Sequence, residues 1–286
     1  MNSRTDQGVS ALTLSCSGCP VARYISHPPA APRLSPRPFL HPVTTLAGTV
    51  VTAHRPADHP HHTGVSVAVA DVDGHNFWGG RTFVRGQGPT ELDNHGAQQR
   101  QSIERRGADG FVEELVWRAG THELLRERRT VSVAQLTGAA WALDFAFRLT
   151  NPSPRTVTLG SPATNGRPGA AYGGFFWRAP KEEDAPEVFT SDAFGERAAH
   201  GSPAAWLALA GRRWTLVFAG ATDETRRDPW FVRATEYPGV GSSLASTRRL
   251  AIAPGTSVMR RVVTVVADGR LGPGPARALA LQAVAA

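Results

Sequence analysis

Apolar and polar residues alternate with a period of two along much of this chain. Val65, Val67 and Val69 alternate with Ser66, Ala68 and Ala70. Trp141, Leu143, Phe145, Phe147 and Leu149 fall on one side of the run 141–150, and Ala142, Asp144, Ala146 and Arg148 fall on the other. Successive side chains of a strand point to opposite faces, so this pattern predicts half-buried antiparallel strands. The same reading places strands at 111–117, 129–134, 156–159, 174–178, 206–209, 214–218, 231–235 and 259–266. Ala119-Gly120-Thr121-His122 and Ala210-Gly211-Arg212 read as hairpin turns, and Asn151-Pro152-Ser153-Pro154 as a tight turn. A helical pattern is confined to the Ala-rich stretch 275–286.

Many strands without βαβ alternation predict an all-β fold, a large antiparallel β-sandwich with few or no helices. Residues 28–38 hold five prolines and read as an extended connector. Residues 1–20 read as a loose N-terminal segment and 21–286 as one β-sandwich domain.

Composition narrows the partners. The 286 residues, 41% of them hydrophobic, can bury a core without disulfides. No stretch approaches the roughly 20 apolar residues of a membrane span. The net charge is +7, but Lys181 is the only lysine and the arginines are dispersed as doublets, never as a basic run. With abundant Ala, Gly and Pro, this reflects compositional bias, so neither nucleic acid nor a membrane is expected as partner. No secretory-type apolar stretch opens the chain, and a cytoplasmic location is the expectation. Cys16 and Cys19 have no second pair to complete a zinc site, and read as incidental thiols.

The densest polar cluster is His54, Arg55, Asp58, His59, His61 and His62. Imidazoles transfer protons near neutral pH and ligate metals. In an extended chain His59 and His61 would share a side and His62 would face away. Asp58 could orient a ring. His59, His61 and Asp58 would also suit a divalent transition metal, with His95, His200 or Glu196 as remote alternatives. A second cluster runs from Gly166 to Arg178, where Arg167, Tyr172, Trp177 and Arg178 stand among glycines and suit a sugar. Glu236 closes a strand-like run, where a carboxylate can face a cleft. Gly-x-Ser-x-Gly and His-Glu-x-x-His are absent, which argues against the commonest hydrolase routes.

Five segments together resemble one family: Ser35-Pro36-Arg37-Pro38-Phe39-Leu40-His41-Pro42-Val43, Asp58-His59-Pro60-His61-His62-Thr63-Gly64, Asn76-Phe77-Trp78-Gly79-Gly80, Tyr172-Gly173-Gly174-Phe175-Phe176-Trp177-Arg178 and Pro229-Trp230-Phe231-Val232-Arg233. The likeness is to the bacterial proteins catalogued as methane oxygenase PmoA-like. Despite that label, a chain without a membrane span argues against methane oxidation. The resemblance implies a role in carbohydrate breakdown and, more remotely, a galactose-mutarotase-like β-supersandwich. There a His pair and a late Glu act on a sugar, and His59, His61 or His62 with Glu236 stand in that order here. Thr63 departs from the basic residue frequent in the family, so no cation is expected at that spot.

The resulting expectation is a carbohydrate-processing protein with no cofactor, of epimerase, lyase or hydrolase type. His59, His61, His62, Asp58 and Glu236 would carry acid–base chemistry, with a His as acid and Glu236 as base. Arg55, Trp78, Arg167, Tyr172, Trp177 and Arg178 would hold the sugar. The alternatives are a metal-dependent, His-ligated oxygenase or lyase, and a non-catalytic carbohydrate-binding module.

Overall fold

A computed structural model, which describes residues 11–285, assembles the alternating segments into two large antiparallel sheets packed face to face. The first has seven strands in the order Ala11–Cys16, Cys19–Ile25, Phe39–Val43, Val65–Val69, Gly173–Arg178, Gly239–Ser242 and Trp230–Arg233. The second has eight, in the order Glu187–Thr190, Trp206–Ala210, Trp214–Gly220, Ser257–Asp268, Ala140–Thr150, His122–Thr137, Gly110–Ala119 and Ala97–Arg106. A small sheet (Leu250–Ile252, Val157–Gly160, Asp71–Val72) and the hairpin Thr82–Val84/Gly88–Thr90 sit beside them. The all-β sandwich expected from the alternation is what forms. Trp141, Leu143, Phe145, Phe147 and Leu149 all lie in the core between the sheets.

The two outer faces are covered differently. On the second sheet, helix Pro273–Ala285 lies over Ala142, Ala208, Val217, Val263 and Val265. Ala276, Ala280 and Ala283, at helical spacing, form its buried stripe, and their small size lets the helix approach closely. On the first sheet, Ala68, Phe176 and Phe231 form an apolar patch covered by loop residues Trp78 and Tyr237. Loops rather than a helix close that face, and the polar clusters of the sequence converge there.

Residues 11–20, expected to be loose, instead form the first hairpin; residues 1–10 lie outside the described residues. Cys16 and Cys19 face each other across Ser17-Gly18, both left-handed at φ 49° and 84°, as a two-residue hairpin turn requires.

The interior holds a charged network that alternation alone does not reveal. Arg129, fully buried, donates to Glu127 at 2.8 Å, the Tyr24 hydroxyl at 2.9 Å and Gln98 at 3.2 Å. Trp117 donates to the other Glu127 oxygen at 2.9 Å, and Tyr24 donates to Glu113. Burial pushes the Glu113 carboxyl up to about 7, although Arg129 and the Tyr24 hydrogen bond pull it down. Its second oxygen, Oε1, has no partner. A carboxyl whose pKa is raised on folding binds its proton more tightly in the native state. Stability therefore falls as pH rises from its unfolded value near 4.5 through about 7. Glu113→Gln should flatten that slope. Thermal melts should show a variant close to wild type at acid pH and more stable by up to about 3 kcal/mol above neutrality. Parallel melting curves at all pH values would contradict it.

Candidate functional site

The histidine segment is a closed loop on the first sheet. Gly64 N–H bonds Ala53 O at 2.9 Å and Arg55 N–H bonds His62 O at 2.8 Å, so the chain leaves and returns as a ladder. At the tip, His59 N–H bonds Pro56 O and His62 N–H bonds His59 O, two successive turns. This differs from the extended chain expected: the second turn brings residues three apart to one side. His59 and His62 stack at 4.6 Å, and His61 stands edge-on to His62 at 4.7 Å. Glycine is needed at the loop's root, because a side chain on Gly64 would collide with the Leu40 carbonyl. The loop root also grips the strand Gly173–Arg178: Ala53 N–H bonds Arg178 O, and Arg178 N–H bonds Gly64 O. The Arg178 side chain is thereby delivered beneath the histidines.

Alternation along that strand sorts its side chains. Phe175 and Trp177 enter the core between the sheets, while Phe176 and Arg178 point outward. Trp177 was expected to hold a sugar; it is fully buried in the core and donates to Val51 O at 2.8 Å. Arg55 likewise turns aside, its guanidinium donating to Pro29 O at 2.6 Å. Trp78 and Tyr172 do reach the patch, with Trp78 at 4.5 Å from Tyr172 and 4.8 Å from Phe176. Arg167 is exposed, and its positive charge partly offsets the rise that burial gives the Tyr172 hydroxyl pKa.

Hydrogen bonds set the ring tautomers. His59 Nδ1 bonds Asp58 Oδ2 at 2.9 Å; with the carboxylate as acceptor, Nδ1 carries the proton and Nε2 is left basic. Burial alone would raise the Asp58 pKa, but the His59 hydrogen bond and Arg178 together hold it below the usual range. Arg178 donates to His62 Nδ1 at 3.3 Å, so Nε2 carries the proton of that ring. Burial, with Arg37 next, depresses His61 to about 3. His62 lies well below its ordinary value through burial, with His61 and His59 adding to the effect. Both rings are therefore neutral at physiological pH.

Tyr237 closes the site. Its ring lies 4.7 Å from His59, 5.3 Å from His62 and 4.4 Å from the Arg178 guanidinium. Burial raises its hydroxyl pKa, which keeps it protonated. Glu236, the residue before it, is exposed in the turn between Trp230–Arg233 and Gly239–Ser242 rather than at a strand end. Its charge is felt by Arg178 and Tyr237.

Three contributors escaped the sequence reading of the site. Arg37, fully buried, donates to Ser66 Oγ and to the carbonyls of Ser35, Trp78 and His61, which ties the loops together. Asn76 Oδ1 accepts from the Trp78 and Gly79 amides at 2.8 Å each and sets the turn presenting Trp78. Tyr237 is the third. The prolines flanking Arg37 conceal it, whereas Tyr237 is the direct neighbour of Glu236.

The remote groups weighed as metal ligands are occupied elsewhere. His200 Nε2 donates to Gly169 O at 2.8 Å and Nδ1 accepts from Arg233 at 3.1 Å. Glu196 accepts the amides of Ala234 and Thr235. His95 is bonded to Gly80 O at 2.8 Å. Among the described residues no group of three His, Cys, Asp or Glu side chains is arranged to hold a metal ion. No helix among them is long and apolar enough to cross a membrane.

A cavity of about 490 Å³ is lined by Pro168, Gly169, His200, Trp230, Ser243 and Thr247, and by none of the histidines of the loop. A larger one, about 620 Å³, lies away from it among Glu182, Arg212, Arg213 and Arg270.

A GH36 α-galactosidase, AgaA from Geobacillus stearothermophilus in complex with raffinose, aligns over 91% of this chain and 41% of its own, with 10% identity and a TM-score of 0.43. A polysaccharide lyase aligns over 59% of this chain and 25% of its own, with 12% identity and a TM-score of 0.27. The chain thus spans less than half the length of either. No curated protein matches it. A family model described as a family of unknown function, DUF6807, matches residues 11–281, and the chain belongs to that family.

Proposed function

We propose that this protein binds a sugar or keto-sugar derivative on the outer face of the seven-stranded sheet and transforms it by acid–base chemistry. The observation that carries this is the Asp58–His59 pair, with Nδ1 fixed at 2.9 Å and the ring stacked on His62 and against Tyr237. A base oriented by a carboxylate and set against aromatic side chains matches what proton abstraction from a sugar derivative requires. His59 Nε2 takes a proton from carbon beside a carbonyl, and Arg178 stabilises the negative charge left on oxygen. Return of a proton from the other side gives an epimer; loss of a neighbouring leaving group gives an unsaturated product. Glu236 is the second proton-transfer group at the rim. Asp58, tied to His59, orients the base and does not serve as one of two glycosidase carboxylates. The sequence resemblance to PmoA-like proteins and mutarotase-like sandwiches implies the same substrate class.

The test is incubation of the protein in D₂O with a panel of aldoses, hexuronates, keto-sugars and glycosides, followed by proton NMR. Deuterium entering beside a carbonyl, or a new product, is expected for at least one member. Binding without exchange or product across the panel would leave a binding module and sink the catalytic reading. No binding at all would remove the sugar altogether.

A further inference from the structure

The charge balance beneath the histidines is lopsided. Arg178 and Arg37 are both buried there. All four Arg37 contacts are to neutral acceptors, the Ser66 hydroxyl and three carbonyls. The ion pair formed by Arg178 is with Asp58, whose side chain is 47% exposed, at a loose 3.4 Å. Arg178 Nη1 is engaged with His62, but its buried Nε has no partner. Nε–H and Nη2 point the same way on a guanidinium and form its side-on fork, which matches the two oxygens of a carboxylate. One tine of that fork is vacant and the other is only loosely held. Tyr237 stacked on the guanidinium fixes its plane. Burial also lowers the Arg178 pKa, with Asp58 opposing that only in part, as a charge short of counter-ions should behave.

We infer that the ligand of this site carries a carboxylate, and that Arg178 receives it through Nε and Nη2: the substrate class is an acidic sugar such as a hexuronate. This rests on the sugar-binding reading above and narrows it. A phosphate is disfavoured, because at up to two negative charges it asks for more donors than one fork supplies. Entry is beside Asp58, the exposed member of the pair. Asp58 is then both the orienting group of His59 and a competing anion for the fork.

Calorimetric binding of galacturonate and glucuronate, against galactose, glucose and glucose 6-phosphate, tests the inference at neutral pH. The hexuronates should bind at least about tenfold more tightly than the parent hexoses, a difference near 1.4 kcal/mol. The preference should weaken with added salt. Arg178→Gln should abolish the preference, leaving the hexuronates bound no more tightly than the parent hexoses. Asp58→Asn, which removes the competing anion, should strengthen hexuronate binding several-fold; loss of folding cannot produce that gain. Hexoses binding as well as hexuronates, the phosphate binding more tightly than the hexuronates, or Asp58→Asn weakening them, each overturns the carboxylate assignment and leaves the sugar reading standing. Failure of every probe to bind overturns the sugar reading itself.

Discussion

Exchanging Arg129 for Met should cost roughly 3–5 kcal/mol of stability, the range found when one partner is removed from a buried ion pair. Total stabilities are typically about 5–15 kcal/mol, so this loss takes a large share of what the fold has. The reason is what remains. Glu127 is fully buried and would keep only the Trp117 indole as a donor. Glu113, already short of a partner at Oε1, would lose the nearest cation. Tyr24 and Gln98 would each lose a hydrogen bond. The expected result is a denaturation midpoint far below wild type with the transition still cooperative. The triple variant Arg129→Met, Glu127→Leu, Glu113→Gln should recover most of the loss, because the uncompensated carboxylates are gone as well. A single variant within about 1 kcal/mol of wild type would show that the network contributes little.

Replacing His59 by Ala should lower turnover of whichever sugar the D₂O panel identifies by about 10²–10⁴, the usual contribution of a positioned general base. Folding should survive, because the ring sits at the rim with a quarter of its side chain exposed. Asp58→Asn should also lower the rate, since Asn can offer its NH₂ to Nδ1 and favour the wrong tautomer. The comparison that decides the roles is Glu236→Gln. Glu236 is exposed and has no hydrogen bond or ion pair among the described residues, so its loss should cost less than that of His59. A larger loss for Glu236→Gln would make the carboxylate the base and His59 its helper.

Much of the architecture was legible along the chain, because core-facing strands must alternate when one face is dry. The run 141–150 is the clearest case. The strand Ala97–Arg106 was not, and its residues show why: Gln, Arg, Glu and Ser dominate it, and it lies at a sheet edge where most of its side chains meet water and charge guards against further pairing. The strands of 11–25 carry no clean alternation, because polar and apolar residues mix irregularly there. Of the site, the histidines, Asp58, Trp78, Tyr172 and Arg178 stood out as clusters of residue types that chemistry uses.

By itself, then, the sequence determined the strands, the all-β class and the local polar clusters, since each depends on neighbours a few residues apart. Tertiary structure alone decided which members of those clusters share a site. The turn at 59–62 put His62 beside His59 rather than opposite it. The strand's alternation sent Trp177 to the core and Arg178 to the surface loops. Arg37 and Tyr237 arrive from positions far along the chain, through a proline-flanked connector and the loop of a hairpin. Such convergence is set by sheet register and loop closure, which depend on pairings across a hundred residues or more and leave no periodic mark on the chain.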